Sequence, residues 1–168
     1  MGLKNNSVYL ESNDEKWHNL FIKEKNILIN IFNEDNYAIE HVGSTSIKGL
    51  LAKPIIDIVI GIDLFANFKK YLKDLEKIYT IKNNIDKKEI LLIKENKKET
   101  FCLIHVLEQN DDRYKNMIKF RNILNSNPKI LKEYEKLKQD LAEKYPNDRQ
   151  EYTKSKNEFI QSILKNTN

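Results

Sequence analysis

Features that mark secreted, membrane and nucleic-acid-binding proteins are scarce in this sequence of 168 residues. Its single cysteine, Cys102, cannot form an internal disulfide, which fits a reducing compartment. No run of about 18 apolar residues is present, so no membrane-spanning helix is predicted. The polar residues 1–12 carry no signal-peptide pattern. We therefore expect a cytoplasmic protein without a membrane partner.

Neither positive nor negative charge dominates the composition. The chain has 29 basic and 25 acidic residues, a net charge of +4, and its lysines are mixed with glutamates. Nucleic-acid-binding proteins normally cluster their basic residues, so this pattern argues against a nucleic-acid partner. The oligomeric state is left open.

Apolar periodicity predicts an α+β fold with a mixed sheet and a helical C-terminal part at about 113–166. The length favours one domain, 1–168. A helix is predicted over 14–34, with a capping box formed by Ser12 and Glu15, and a second helix is predicted after Asp63. The predicted strands are 37–42, 54–62, 90–93 and 101–107, with a short helical turn at 47–52. Asn127 and Pro128 predict the start of another helix.

A loop of small residues follows the first predicted strand, 37–42. Gly43 and Ser44 leave backbone N–H groups open to close approach, which suits phosphate oxygens. Asp57 interrupts an apolar strand predicted to be buried, and an unpaired buried charge costs several kcal/mol. Its partner could be a metal ion, Lys53 or a histidine. A plain loop and a structural ion pair are the alternatives, but together the two features favour phosphoryl chemistry with Mg²⁺.

The segment from His41 to Asp57 resembles the GrpB family, in which a His-Ile-Gly-Ser-Thr-Ser-like loop precedes a Lys-Pro-Ile-Ile-Asp strand. The resemblance extends to Trp17 in the opening helix, to Arg121 with the following Asn-Pro, and to the closing segment 148–159. It therefore covers nearly the whole chain.

The resemblance implies a nucleotidyltransferase-like fold in which Gly43 and Ser44 contact phosphates and Asp57 is the first acid of an Mg²⁺ site. The second acid would fall at Val59 and the third near His105, so the acidic set is incomplete. Mg²⁺ at Asp57 would then bind weakly. Asp57 with His105 and His41 would instead suit Mn²⁺ or Zn²⁺. We favour a metal-free site over either.

The candidate catalytic residues are Asp57 and His105, although a histidine in an apolar strand is often only a satisfied core residue. Tyr152 and Lys156 lie four apart and so share one helical face. Arg149 is either an anion-binding group or a structural partner of Glu151 or of a C-terminal carbonyl. The candidate phosphate-binding residues are His41, Gly43, Ser44, Thr45, Ser46, Lys53, Arg121, Tyr152 and Lys156.

The leading hypothesis is a domain that binds a phosphorylated small molecule or nucleotide, with nucleotidyl or phosphoryl transfer as the candidate reaction. The alternative is a catalytically inactive interaction or regulatory module of the same fold, which Val59 favours. Whether the protein is an enzyme is left open by the sequence.

Overall fold

The computed structural model describes residues 2–4, 6–33, 35–84 and 88–166. The strands are β1 (Leu3–Lys4), β2 (Ala38–Val42), β3 (Ile56–Ile62), β4 (Thr80–Asn84), β5 (Glu89–Glu95) and β6 (Glu99–Glu108). The helices are α1 (Asp14–Phe32), α2 (Phe65–Phe68), α3 (Leu72–Leu75), α4 (Asp112–Ser126), α5 (Pro128–Lys144) and α6 (Arg149–Asn166). Short 3₁₀ turns occur at Ser44–Ser46 and Lys69–Tyr71.

All six strands belong to one mixed sheet with the order β2-β3-β6-β5-β4, and β1 pairs with the start of β6. The β3–β6 pair is parallel, and every other pair is antiparallel. The strands predicted at 90–93 and 101–107 are confirmed as β5 and β6, which form an antiparallel hairpin. The predicted α+β class with a mixed sheet is therefore confirmed.

Alternation along β3 gives the sheet two different faces. Ile56, Ile58, Ile60 and Ile62 are almost completely buried in a core with α1 and the α2–α3 segment, and we call this side the closed face. Asp57, Val59 and Gly61 point to the other side, which we call the open face. There Val59 packs with Val42 and Leu107 beneath α4.

The helical C-terminal part begins and breaks where the sequence predicts. Asn127 Oδ1 accepts a hydrogen bond from the backbone N–H of Ile130 (3.2 Å), and Pro128 occupies the first turn of α5. Asp148 Oδ1 accepts one from the N–H of Glu151 (2.9 Å) at the start of α6. The ring of Tyr134 on α5 stacks on Phe159 of α6, with 5.6 Å between centroids. These contacts hold α6 across the open face.

Several local predictions were wrong. The helical turn lies at Ser44–Ser46 instead of 47–52. Asn13 is the N-cap of α1, and its side chain makes no capping hydrogen bond. Strands β1 and β4 were missed, because one is only 2 residues long and the other is largely polar, so neither shows a clear apolar alternation. Helix α1 ends at Phe32, and residue 34, its predicted end, lies outside the described residues.

In the part of the chain that the structure describes, no helix combines the length and apolar character needed to cross a membrane.

Candidate anion-binding site

A cavity of about 910 Å³ lies on the open face, between α6, the loop after β2 and strands β3 and β6. Eight of the predicted site residues line it: Gly43, Ser44, Thr45, Lys53, Asp57, His105, Tyr152 and Lys156. Arg149, Lys154, Asn157 and Asn6 are further polar residues of the wall. The structure thus brings the small-residue loop and the strand acid to one cavity.

Gly43 allows the loop after β2 to lie close to the Asp57 carboxylate. Its φ of +71° lies in the left-handed region, and a Cβ built on it would lie 2.4 Å from Asp57 Oδ2. The β2–β3 register explains this contact, since Val42 pairs directly with Asp57. Only glycine therefore lets the backbone of this loop lie against the carboxylate.

Helix α6 supplies the opposite wall through residues at helical spacing. Arg149, Tyr152, Thr153, Lys156 and Ile160 all line the cavity, at intervals of three and four. The sequence indicated the Tyr152 and Lys156 pair of this stripe. It left Arg149 open between an anion-binding group and a structural partner, and the structure places Arg149 on the same wall.

Two lysines converge on the Tyr152 ring. Lys53 Nζ and Lys156 Nζ each lie 4.9 Å from its centroid, and the tyrosine is only 1% exposed. Such cation–π contacts are worth roughly 0.5–2 kcal/mol, more when desolvated. The shared ring therefore holds the two ammonium groups, which carry like charges, close together at a partly buried site.

The positive charges of the cavity are held at an electrostatic cost. Burial lowers the pKa of Lys53 to about 7, with further contributions from Lys156 and Arg149, against an opposing effect of Asp57. Burial also lowers the pKa of Arg149, although Asp57 and Glu95 oppose this. Among the described residues, no carboxylate lies within salt-bridge distance of Lys53, Arg149 or Lys156. The predicted pairing of Arg149 with Glu151 is not formed, because Glu151 lies near Lys154 instead (3.7 Å).

A fourth cation lies behind this group. Lys138 of α5 is only 1% exposed and donates a hydrogen bond to the Leu51 carbonyl. Burial lowers its pKa to about 7, and the charges of Lys156 and Lys53 add to that effect. It does not line the cavity, but its position next to the loop that leads into β3 adds to the positive potential of this side.

His105 lies on the cavity wall beside an acid that the sequence analysis missed. Its Nδ1 lies 2.7 Å from Glu89 Oε1, and Glu89 Oε2 lies 3.4 Å from Arg113 Nη1. The register of β5 and β6 brings Glu89 here, since Leu91 pairs with His105 and Glu89, two residues before Leu91, lies on the same face. A carboxylate that holds Nδ1–H leaves Nε2 as the proton acceptor of the ring.

Three of the predicted residues lie outside this cavity. His41 points to the closed face, since it alternates with Val42; its ring stacks on Phe21 (4.8 Å) and Nε2 lies 3.0 Å from Thr45 Oγ1. Burial lowers the pKa of His41 to about 4, helped by His18 and Arg121. Ser46 Oγ donates to the Gly43 carbonyl (2.7 Å).

Arg121 is the third. Its Nη1 donates to Glu40 Oε2 (2.7 Å) and to the His41 carbonyl (2.9 Å), which fastens α4 to β2. The guanidinium charge of Arg121 is therefore already paired within the fold.

The donor set does not suit the magnesium site that the family resemblance implies. Val59, at the position of the second acid, is fully buried among apolar side chains. His105 is already bonded to Glu89. Over the described ranges, no three His, Cys, Asp or Glu side chains converge as metal ligands. Asp57 is thus the sole carboxylate on the cavity wall within the described part of the chain.

These features define a mixed α/β protein with a basic cavity beside a glycine-serine loop. The chain belongs to the GrpB family, whose model, described as "GrpB protein", matches residues 7–166. The "Glutamate-rich protein GrpB" of Alkalihalophilus pseudofirmus is 41% identical over 171 residues, covering 98% of each chain.

Solved structures agree with this assignment. The crystal structure of GrpB from Enterococcus faecalis has a TM-score of 0.84 and 27% identity, over 94% of this chain and 95% of that one. A remote likeness links the chain to the Cid1 poly(U) polymerase, with a TM-score of 0.47 and 11% identity over 77% of this chain and 44% of that one. Because this likeness is so remote, it carries no information about the ligand or the reaction of this chain.

Proposed function

We propose that the cavity binds a phosphorylated small molecule, with nucleotides as the first class to test. The observation that carries this proposal is the group of Lys53, Arg149 and Lys156, three cations that face one cavity without a carboxylate at salt-bridge distance in the described structure. Burying charges without partners is costly. An anionic ligand would offset that cost.

The roles of the wall residues follow from their chemistry. Gly43 lets a ligand approach the loop backbone, and the hydroxyl groups of Ser44 and Thr45 can donate to phosphate oxygens. Lys53, Lys156 and Arg149 supply positive charge, the guanidinium with a planar fork of donors. Asp57 can accept a hydrogen bond from a ligand hydroxyl, which orients the ligand.

Nucleotidyl or phosphoryl transfer is the first reaction class to test. In either reaction a hydroxyl group attacks a phosphorus of a nucleoside triphosphate and loses its proton, while the phosphoanhydride bond breaks and pyrophosphate or a nucleoside diphosphate leaves. His105 Nε2 is the candidate acceptor, because Glu89 engages the other ring nitrogen.

The direct test is isothermal titration of the full chain with ATP, GTP and dephospho-coenzyme A, in EDTA and with Mg²⁺ or Mn²⁺. We expect binding that Lys156→Ala weakens. Lys165→Ala is the matched control, since it removes an exposed lysine from the same helix, outside the cavity. Absence of binding to every compound at millimolar concentration would contradict the proposal.

A second candidate is a catalytically inactive module that binds its ligand for regulation or interaction. The fully buried Val59 favours it, because no second acid can occupy that position without disturbing the apolar packing. Phosphorus NMR of each bound nucleotide separates the two candidates. New phosphorus signals that His105→Gln suppresses would identify an enzyme, and binding with unchanged spectra would identify the module.

A further inference from the structure

We infer that the cavity accepts a di- or triphosphate group without a divalent cation, with Arg149, Lys53 and Lys156 supplying the countercharge. This inference rests on the proposed function and narrows its ligand class. In this arrangement, side chains of the protein neutralise the phosphates in place of a metal ion.

The charge of the wall matches a polyphosphate. Lys53, Arg149 and Lys156 line the cavity, and Lys138 lies behind it. These four cationic groups are opposed by Asp57, the one wall carboxylate among the described residues, whereas Lys154 is offset by Glu151 at 3.7 Å. A phosphate monoester carries a charge of only about −1.5 to −2 at neutral pH. Each further phosphate adds negative charge, so a di- or triphosphate complements the wall better.

Arg149 takes the electrostatic place of a metal ion. It begins α6, lines the same cavity as Asp57 and is stabilised there by the charges of Asp57 and Glu95. A divalent ion at Asp57 would be repelled by Arg149 and Lys53, and it would lack further carboxylate ligands. A guanidinium is weakly hydrated and binds phosphate through two parallel hydrogen bonds, so it can neutralise phosphate without a metal.

The geometry also predicts a proton coupled to binding. Lys53 is held over the Tyr152 ring with Lys156 as a like-charged neighbour, and its pKa is lowered to about 7. A bound polyphosphate would favour the charged ammonium. Binding above pH 7 should therefore take up a proton, and titrations in buffers of different ionisation enthalpy measure that uptake.

The experiment is isothermal titration with inorganic phosphate, pyrophosphate and tripolyphosphate, each in EDTA and in excess Mg²⁺. We expect pyrophosphate and tripolyphosphate to bind in EDTA about tenfold or more tightly than phosphate. One additional contact between opposite charges, at an effective dielectric constant near 20, supplies enough free energy for that difference. Excess Mg²⁺ should weaken this binding, because it competes for the same oxygens.

Asp57→Asn gives the sharpest discrimination. Without a metal, the aspartate repels the phosphates, so the variant should bind pyrophosphate in EDTA about fivefold more tightly. With a metal ligand at this position, the variant should lose binding instead. Arg149→Gln should weaken binding about tenfold, Lys165→Ala should leave it unchanged, and thermal melts confirm that each variant is folded.

The outcomes separate this inference from the proposed function. Binding of pyrophosphate or ATP that requires Mg²⁺ and is lost in Asp57→Asn overturns the inference alone. Equal affinity for phosphate and tripolyphosphate also overturns it. If neither these probes nor any nucleotide binds, both are overturned.

Discussion

Charged groups on the closed face and on the wall of the cavity differ in their partners. On the closed face, Glu24 is only 3% exposed, and its carboxylate accepts hydrogen bonds from Tyr79 Oη (2.9 Å) and Lys94 Nζ (2.6 Å). On the open face, Lys53 and Lys156 share a tyrosine ring and have no carboxylate at salt-bridge distance in the described structure. A charge whose partner lies within the fold serves the fold, whereas one without a partner is available to a ligand.

The same strand produces both environments. Along β3, Ile58 and its alternate neighbours enter the core, while Asp57 points into the cavity. Helices α1 to α3 pack against the closed face, whereas α6 crosses the open face and lines the cavity of about 910 Å³. Substitutions on the two faces should therefore separate stability from binding.

The largest effect is expected on the closed face. Ile58 is fully buried, so Ile58→Ala should lower the free energy of unfolding by about 2–5 kcal/mol through lost burial and a residual cavity. Urea denaturation measures the loss. Pyrophosphate affinity, measured where the variant is folded, should match that of the wild type. A folded variant with weakened binding would contradict the separation of the two faces.

Gly43→Ala should have the next largest effect. A positive φ costs an L-residue about 1–2 kcal/mol, and the added Cβ must also displace the Asp57 carboxylate. We expect a total loss of about 2–4 kcal/mol, with altered anion binding. The control is Gly49→Ala, since Gly49 has φ +78° but nothing within 4 Å of the added Cβ. That variant should lose only about 1 kcal/mol; equal losses would show that the contact with Asp57 costs nothing.

Arg121→Met tests whether this arginine belongs to the fold. Removing its bonds to Glu40 and the His41 carbonyl should cost about 1–2 kcal/mol, since hydrogen bonds to charged groups contribute that much. Thermal or urea unfolding measures the loss. Anion affinity should remain within twofold, roughly half a kcal/mol. A larger loss of affinity would return Arg121 to the binding site.

Lys53→Met is expected to have the smallest effect, in the stabilising direction. Burial lowers the pKa of Lys53 from 10.5 to about 7. Between these values the unfolded chain holds a proton that the folded chain has released, so stability rises with pH across this window. Below pH 7 the full cost of the buried charge is present. Removing the amine should therefore raise the melting temperature at about pH 6 by a few degrees.

Thermal melts from about pH 6 to 10 measure the effect. The slope should become smaller in Lys53→Met without vanishing, because the pKa of Lys138 is lowered in the same direction. The exposed Lys132→Met should leave the slope unchanged, and an unchanged slope in Lys53→Met would show that the amine is not desolvated.

Local sequence was enough for most of the architecture. The β-branched run of β3 and the cap at Asn127 could be read from the sequence, because burial periodicity and capping depend on a few neighbouring residues. The predicted turn at 47–52 and the Ser12 cap failed, because either choice is locally acceptable and packing made the selection.

For the candidate site, the sequence by itself determined the residue types. These are a glycine directly after a strand, one aspartate in an apolar strand, and lysine, arginine and tyrosine at helical spacing near the C-terminus. Only the tertiary structure decided which of them meet. The one-residue alternation of β2 sends His41 to the closed face, and the hairpin register brings Glu89 to His105. The path of α6 places Arg149 over the open face. Those outcomes depend on pairing register and helix docking, which are set by contacts between residues far apart in the chain.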